Sequence, residues 1–260
     1  MIKEFLGFGG YSRQPEGFMS WQHLLFVSSL VAIMIALAVI LGLRNRRKDE
    51  KTKNKVLVAA AIAIDSIEIF RIVIICLREG SAEPIKRLLP LFLCSLMLIA
   101  IPLAAFSKGR IREAALDFIF IFGLMISVLG TYGAGQNYSC YPVLSLDNVA
   151  SGLTHCISGF ASLYIGVAGM ASMKRENMPI TFAIILCFCA AAYVANVTLH
   201  YNYMFLMRGD GTPYDIFFNL VGGSPILYPL VVLGLFLLWI AVFYFVFYLV
   251  KKRGKKARQN

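Results

Sequence analysis

Two residues of this chain could together carry covalent chemistry inside an apolar setting. Cys94 lies in "LPLFLCSL" and His155 in "SGLTHCISGF". A thiol attacks an acyl carbonyl as the thiolate, and in apolar surroundings it needs a base within hydrogen-bond reach to form it. An imidazole can be that base and can later return the proton to a leaving group. Polar side chains elsewhere fit around such a pair. Glu68 and Arg71 are three residues apart, so they share a helix face and can pair. The stretch "AYVANVTLHYNYMFL" sets Asn196, His200 and Asn202 beside Tyr201 and Tyr203. Amide and phenol donors of that kind suit a developing oxyanion, and an arginine suits a phosphate. His200, closer to the end of its apolar block, reads as interfacial. The bland readings stand beside these. Asn196 can bond between helices, His155 can bond a carbonyl, and Glu68–Arg71 can be a clamp.

The elements that hold these residues are apolar blocks. Hydrophobic residues make up 59% of the 260 residues and charged residues 15%. A soluble domain carries about a quarter charged residues, so the chain reads as an integral membrane protein. Its mean hydropathy of +0.73 agrees. Seven blocks have about the length that crosses a bilayer. They run over residues 23–43, 56–77, 88–106, 114–129, 149–173, 180–199 and 227–250. The expected fold is therefore all-α, a seven-helix transmembrane bundle over residues 23–250. An interfacial segment, 1–22, precedes it and a basic tail, 251–260, follows. Gly130, Gly133 and Gly135 should break the fourth block, and the fifth helix should start later than its block. The first block is too long for a signal-peptide core and should stay as a spanning helix.

Charge orients the bundle. Of 25 Lys and Arg, 18 fall in alternate loops and the tail, and 6 on the other side. The positive-inside rule then puts the N-terminus outside and the C-terminus in the cytoplasm, as in a multi-pass protein of the cell membrane. A net charge of +11 is thus a matter of topology and argues for no nucleic acid. The six cysteines lack metal spacing, and no motif for an organic cofactor or a metal occurs.

Depth then sharpens the list. An ionisable group inside a membrane costs about 2.5–3.5 kcal/mol on insertion scales and usually faces the bundle interior. On blocks running in opposite directions, Glu68, Arg71, Cys94, His155, Asn196, His200 and Asn202 all fall in the outer third. Asp65 lies nearer mid-membrane. Asp117 sits near the inner start of the fourth block, where a carboxylate suits a helix N-terminus.

Three pieces, "LPLFLCSL", the single "THC" histidine and "NVTLHYNYMFL", occur in that order over blocks three to seven. With them the chain resembles the YwaF-like bacterial integral membrane proteins, related to transmembrane protein 164 of animals. The resemblance implies a seven-helix bundle. It also implies a Cys/His acyltransferase that moves fatty acyl chains between phospholipids, with Cys94 and His155 at the matching positions. Asn196, Asn202 and Tyr203 match the family's Asn-to-NYMFL stretch. The chain departs from the pattern at Phe92, where bacterial members carry a histidine. The expected function is a lipid acyltransferase or acyl hydrolase with catalytic Cys94 and His155. Glu68, Arg71, Asn196, His200, Asn202 and Tyr203 would bind the substrate, a membrane phospholipid or other acyl lipid. The alternative is a transporter or solute-binding membrane subunit using the Glu68/Arg71 cluster, which needs no nucleophile.

Overall fold

A computed structural model describes residues 2–256, with side chains as far as Lys251. The end of the expected basic tail, residues 257–260, lies outside the described residues. Among the described residues the regular structure is entirely helical, without a strand. Seven helices have ten residues or more: α1 (Trp21–Asn45), α2 (Glu50–Glu79), α3 (Met97–Phe106), α4 (Gly109–Tyr132), α5 (Leu146–Val167), α6 (Met178–Leu199) and α7 (Leu227–Lys256). Each corresponds to one apolar block.

Four of them, α1, α4, α6 and α7, are long and apolar enough to cross a membrane. The others fall short for separate reasons. Helix α2 is 30 residues long but carries Asp65, Glu68 and Arg71. Helix α5 has 22 residues, many of them Gly, Ser and Thr. Helix α3 has only 10.

Local chemistry sets the boundaries. Ser20, Asp49 and Ser145 cap α1, α2 and α5 by accepting the N–H of the residue three further on. Gly80 closes α2 in the left-handed conformation at φ 63°. The third block departs most from expectation. Residues 89–93 are irregular, Cys94–Leu96 forms a 3₁₀ turn, and the α-helix begins only at Met97. Pro90 is the cause, since proline disfavours helical backbone at the residue before it, and Leu89 is extended with ψ 139°.

Two further expectations are corrected. Gly130 does not break α4, which runs on to Tyr132 and ends where the Gly133 N–H bonds the Leu129 carbonyl at 2.9 Å. Helix α5 starts earlier than its block, because Ser145 supplies a cap there, and it stops at Val167 rather than 173.

The chain forms two compact units. The first holds α1 to α5, with α5 touching each of the other four. A hub helix needs slim neighbours and a slim surface of its own. Gly152, Gly159 and Gly166 recur every seven residues along α5. A Cβ on them would stand 3.0 Å from Leu30, 2.5 Å from Met34 and 2.7 Å from Phe120 respectively. Small residues of this kind let helix backbones approach closely. The second unit holds residues 91–93 and everything from Ser172 onward, including the α6–α7 pair.

Candidate functional site

The site in the first unit is assembled from α2, α5 and the turn before α3. Helix α5 places His155 one turn after Ser151. Ring Nδ1 lies 2.6 Å from the Ser151 carbonyl, with Ser151 Oγ at 3.4 Å. A carbonyl only accepts, so Nδ1 carries the proton and Nε2 keeps its lone pair. The imidazole is thereby held in the tautomer that can act as a base. Cys94 opens the 3₁₀ turn that the Pro90 break creates. Its thiol and the His155 ring lie close enough to act on each other electrostatically, and Ser95 Oγ lies 4.0 Å from Sγ. Cys94 is exposed while Cys156 and Cys189 are buried.

Helix α2 adds charge. Arg71 Nη2 donates to Glu68, which is 7% exposed. The pairing follows from their spacing. Arg71 lies close enough to act electrostatically on Cys94, His155 and Asp147. Its Nε is buried and meets no acceptor among the described residues. Asp65 is half-buried three residues earlier, and Asp117 is fully buried on α4.

A second polar cluster joins the N-terminal segment, the end of α2 and the start of α5. The Asp147 carboxylate accepts two parallel bonds from Arg78, at 2.7 and 3.1 Å, and a third from Tyr11 at 2.6 Å. Arg78 also donates to Tyr11 at 3.1 Å. Burial works to raise the Asp147 carboxyl, but the Arg78 and Tyr11 hydrogen bonds and the Arg78 charge outweigh it and hold it below the usual carboxylate range. His23 ties the same region together. Its Nδ1 accepts from the Met19 N–H and its Nε2 bonds the Thr131 carbonyl, both at 3.2 Å. The N-terminal segment is therefore pinned by Tyr11 and His23, and Trp21 is 69% exposed.

In the second unit the asparagines hold a turn. Asn196 Nδ2 donates to the Tyr203 carbonyl at 3.0 Å, and its Oδ1 accepts the Tyr203 N–H at 2.6 Å. Asn202 donates to the Arg208 carbonyl and to Asp210, and accepts from the Met207 N–H. Both residues are buried, and Asn202 has both amide hydrogens engaged. His200 is the C-cap of α6 in the left-handed conformation, φ 53°. Tyr203 is fully buried. Phe92 joins an aromatic group, with its ring 5.5 Å from Tyr203 and 6.2 Å from Tyr201 and Phe205.

So Cys94, His155, Glu68 and Arg71 share the first unit's site, while Asn196, His200, Asn202 and Tyr203 build one turn of the second unit. Sequence reasoning passed over Ser151, Asp147 and Tyr11, counted Arg78 only toward topology, and read Gly130 only as a break in its block. The seven-residue glycine spacing on α5 was the available signal for the close helix seam beside His155.

Among the described residues the regular structure is all helical, and four helices are long and apolar enough to span a bilayer, as in an integral membrane protein. The family model described as the TMEM164 family matches residues 18–257. The chain belongs to the TMEM164 family, a helical, apolar membrane protein of that group. No curated protein and no solved structure matches it.

Proposed function

We propose that the protein is a Cys/His acyltransferase or acyl hydrolase acting on membrane lipids, built as seven spans with the N-terminus outside and the C-terminus in the cytoplasm of the cell membrane. The observation that carries this reading is an exposed Cys94 close to an imidazole whose Nδ1 is already engaged. His155 Nε2 takes the thiol proton, and the thiolate attacks the ester carbonyl of an acyl lipid. A C–S bond forms, the ester C–O bond breaks, and the leaving alkoxide takes the proton from His155. An acceptor hydroxyl, or water in the hydrolase version, then gives its proton to His155 and attacks the thioester, which restores the thiol.

Arg71 supplies the cation near the reacting centre. Glu68 engages one side of its guanidinium, and a guanidinium suits a phosphate or an oxyanion. Asn196 and Asn202 are assigned to holding their own turn, on the strength of their filled hydrogen bonds. Tyr203 and His200 shape that turn.

The test is acyl transfer from a labelled phospholipid by purified protein in liposomes. Cys94→Ser and His155→Ala should each abolish turnover while leaving the melting temperature near that of the parent. Full turnover in both variants would remove the mechanism. Solute uptake abolished by Glu68→Gln yet untouched by Cys94→Ala would favour a transporter instead.

A further inference from the structure

The α4–α5 seam contains a contact unlike its neighbours. At Gly123 a Cβ would meet backbone, 2.6 Å from the Ser158 carbonyl oxygen. At Gly159 it would meet Ser127 and Met34, and at Gly166 Phe120. Those glycines set the distance between helices. At Gly130 a Cβ would fall 1.8 Å from His155 Cδ2, 2.2 Å from Nε2 and 2.5 Å from Cγ. All three of its nearest atoms belong to the imidazole. No real Cβ tolerates such distances, so the ring occupies the volume that any other residue would fill.

We infer that Gly130 is a positioning residue for His155, a flat bed on α4 that fixes the imidazole in the orientation it presents to Cys94. The inference rests on the proposed Cys/His chemistry for its purpose, and on geometry alone for its substance. The ring is held at two points on opposite sides. Nδ1 is tied to the Ser151 carbonyl on its own helix, and the Cδ2–Nε2 edge rests against α4 at Gly130. The first contact selects the tautomer and the second selects the rotamer. A methyl group at 130 leaves the Ser151 bond available only if the ring swings about it, which carries Nε2 away from where it now lies. A shift of about 1 Å at a reacting group is enough to lose about 10²-fold in rate.

The experiment uses the full chain in detergent and needs no lipid substrate. Iodoacetamide alkylation at pH 7 is followed on the Cys94 peptide by mass spectrometry, in the parent, Gly130→Ala, His155→Ala, the double variant and Gly159→Ala. Gly130→Ala and His155→Ala should each slow Cys94 alkylation by about tenfold or more. The double variant should be no slower than His155→Ala, because the methyl group then has the vacated ring volume. Gly159→Ala, which crowds the same seam without touching the ring, should lower the melting temperature and leave Cys94 alkylation at the parent rate. If Gly130→Ala alone fails to fold, the double variant should fold. Parent-rate alkylation in Gly130→Ala, or a double variant slower or less stable than both singles, would overturn the inference. Loss of this coupling while acyl transfer still depends on Cys94 and His155 would remove only the role of Gly130. Intact coupling in a protein whose acyl transfer ignores Cys94 would remove only the enzymatic reading.

Discussion

The Cys94–His155 region and the Asn196–Asn202 turn have similar polar composition within apolar helices, and they use it in opposite ways. In the turn every amide group of Asn202 is matched. Two hydrogens go to Arg208 and Asp210, and the oxygen receives Met207. Asn196 brackets Tyr203 from both sides of its peptide. In the other region capacity is left over. His155 has one nitrogen bound to backbone and the other reserved, Cys94 is exposed, and the Arg71 Nε meets no acceptor among the described residues. Buried polar groups in native proteins are overwhelmingly paired, so a filled set signals scaffolding and an unfilled one asks for a partner. The Arg78–Asp147–Tyr11 cluster belongs with the turn in this respect.

The comparison can be broken most severely at the nucleophile. Cys94→Ser should reduce acyl transfer by about 10³-fold or more, measured with labelled phospholipid, while thermal unfolding of the protein in detergent stays close to the parent. A large fall in melting temperature with little change in rate would move Cys94 into the scaffold class.

Next comes Asp147. Asp147→Asn leaves Arg78 without its carboxylate and should cost about 3 kcal/mol, read by thermal unfolding. The carboxyl is held below its ordinary value by the Arg78 and Tyr11 bonds working against burial. Its contribution is therefore present above about pH 4 and lost as pH falls through the depressed folded value. The parent should lose melting temperature below pH 4, and Asp147→Asn should lose less over the same window. Equal acid sensitivity in the two proteins would contradict the assignment.

Asn196→Ala should cost about 2 kcal/mol, because the Tyr203 N–H and carbonyl are left unpaired. Turnover per folded molecule should hold. A rate loss well beyond the loss of folded protein would place Asn196 among the chemical groups after all.

The smallest effect is expected at His200. Gly suits the left-handed cap that His200 now fills, so His200→Gly should raise stability by about 0.5–1 kcal/mol. A general base at this position would instead show a fall in turnover.

The legible part of the fold followed from solvation. An apolar block must satisfy its own backbone in lipid, and helices do this, so all seven blocks became helices. The errors came from residues whose meaning depends on a neighbour. Gly130 reads as a breaker in isolation, yet in α4 it is a gap that a ring fills. Ser145 carries a helix start that hydropathy placed several residues later. Hydropathy ran the third block unbroken through Pro90, which leaves 89–93 irregular and sets Cys94 on a 3₁₀ turn. In the site, Glu68–Arg71 could be anticipated because the pair is local to one helix. The pairing of Cys94 with His155 joins residues 61 positions apart, and the motif order supplied what spacing could not. Ser151 and Asp147 belong to no motif in the sequence, and only packing gives them partners.

The most direct test of the central claim is to trap the acyl intermediate. Full-length protein in liposomes is given phospholipid with an isotopically labelled acyl chain, quenched in acid and digested, and the Cys94 peptide is examined by mass spectrometry. The account predicts a labelled acyl group on Cys94 that neutral hydroxylamine removes, and that is lost in His155→Ala. An enzyme that transfers the label at the parent rate with no hydroxylamine-sensitive acyl group on Cys94, and equally well as Cys94→Ser, would contradict it.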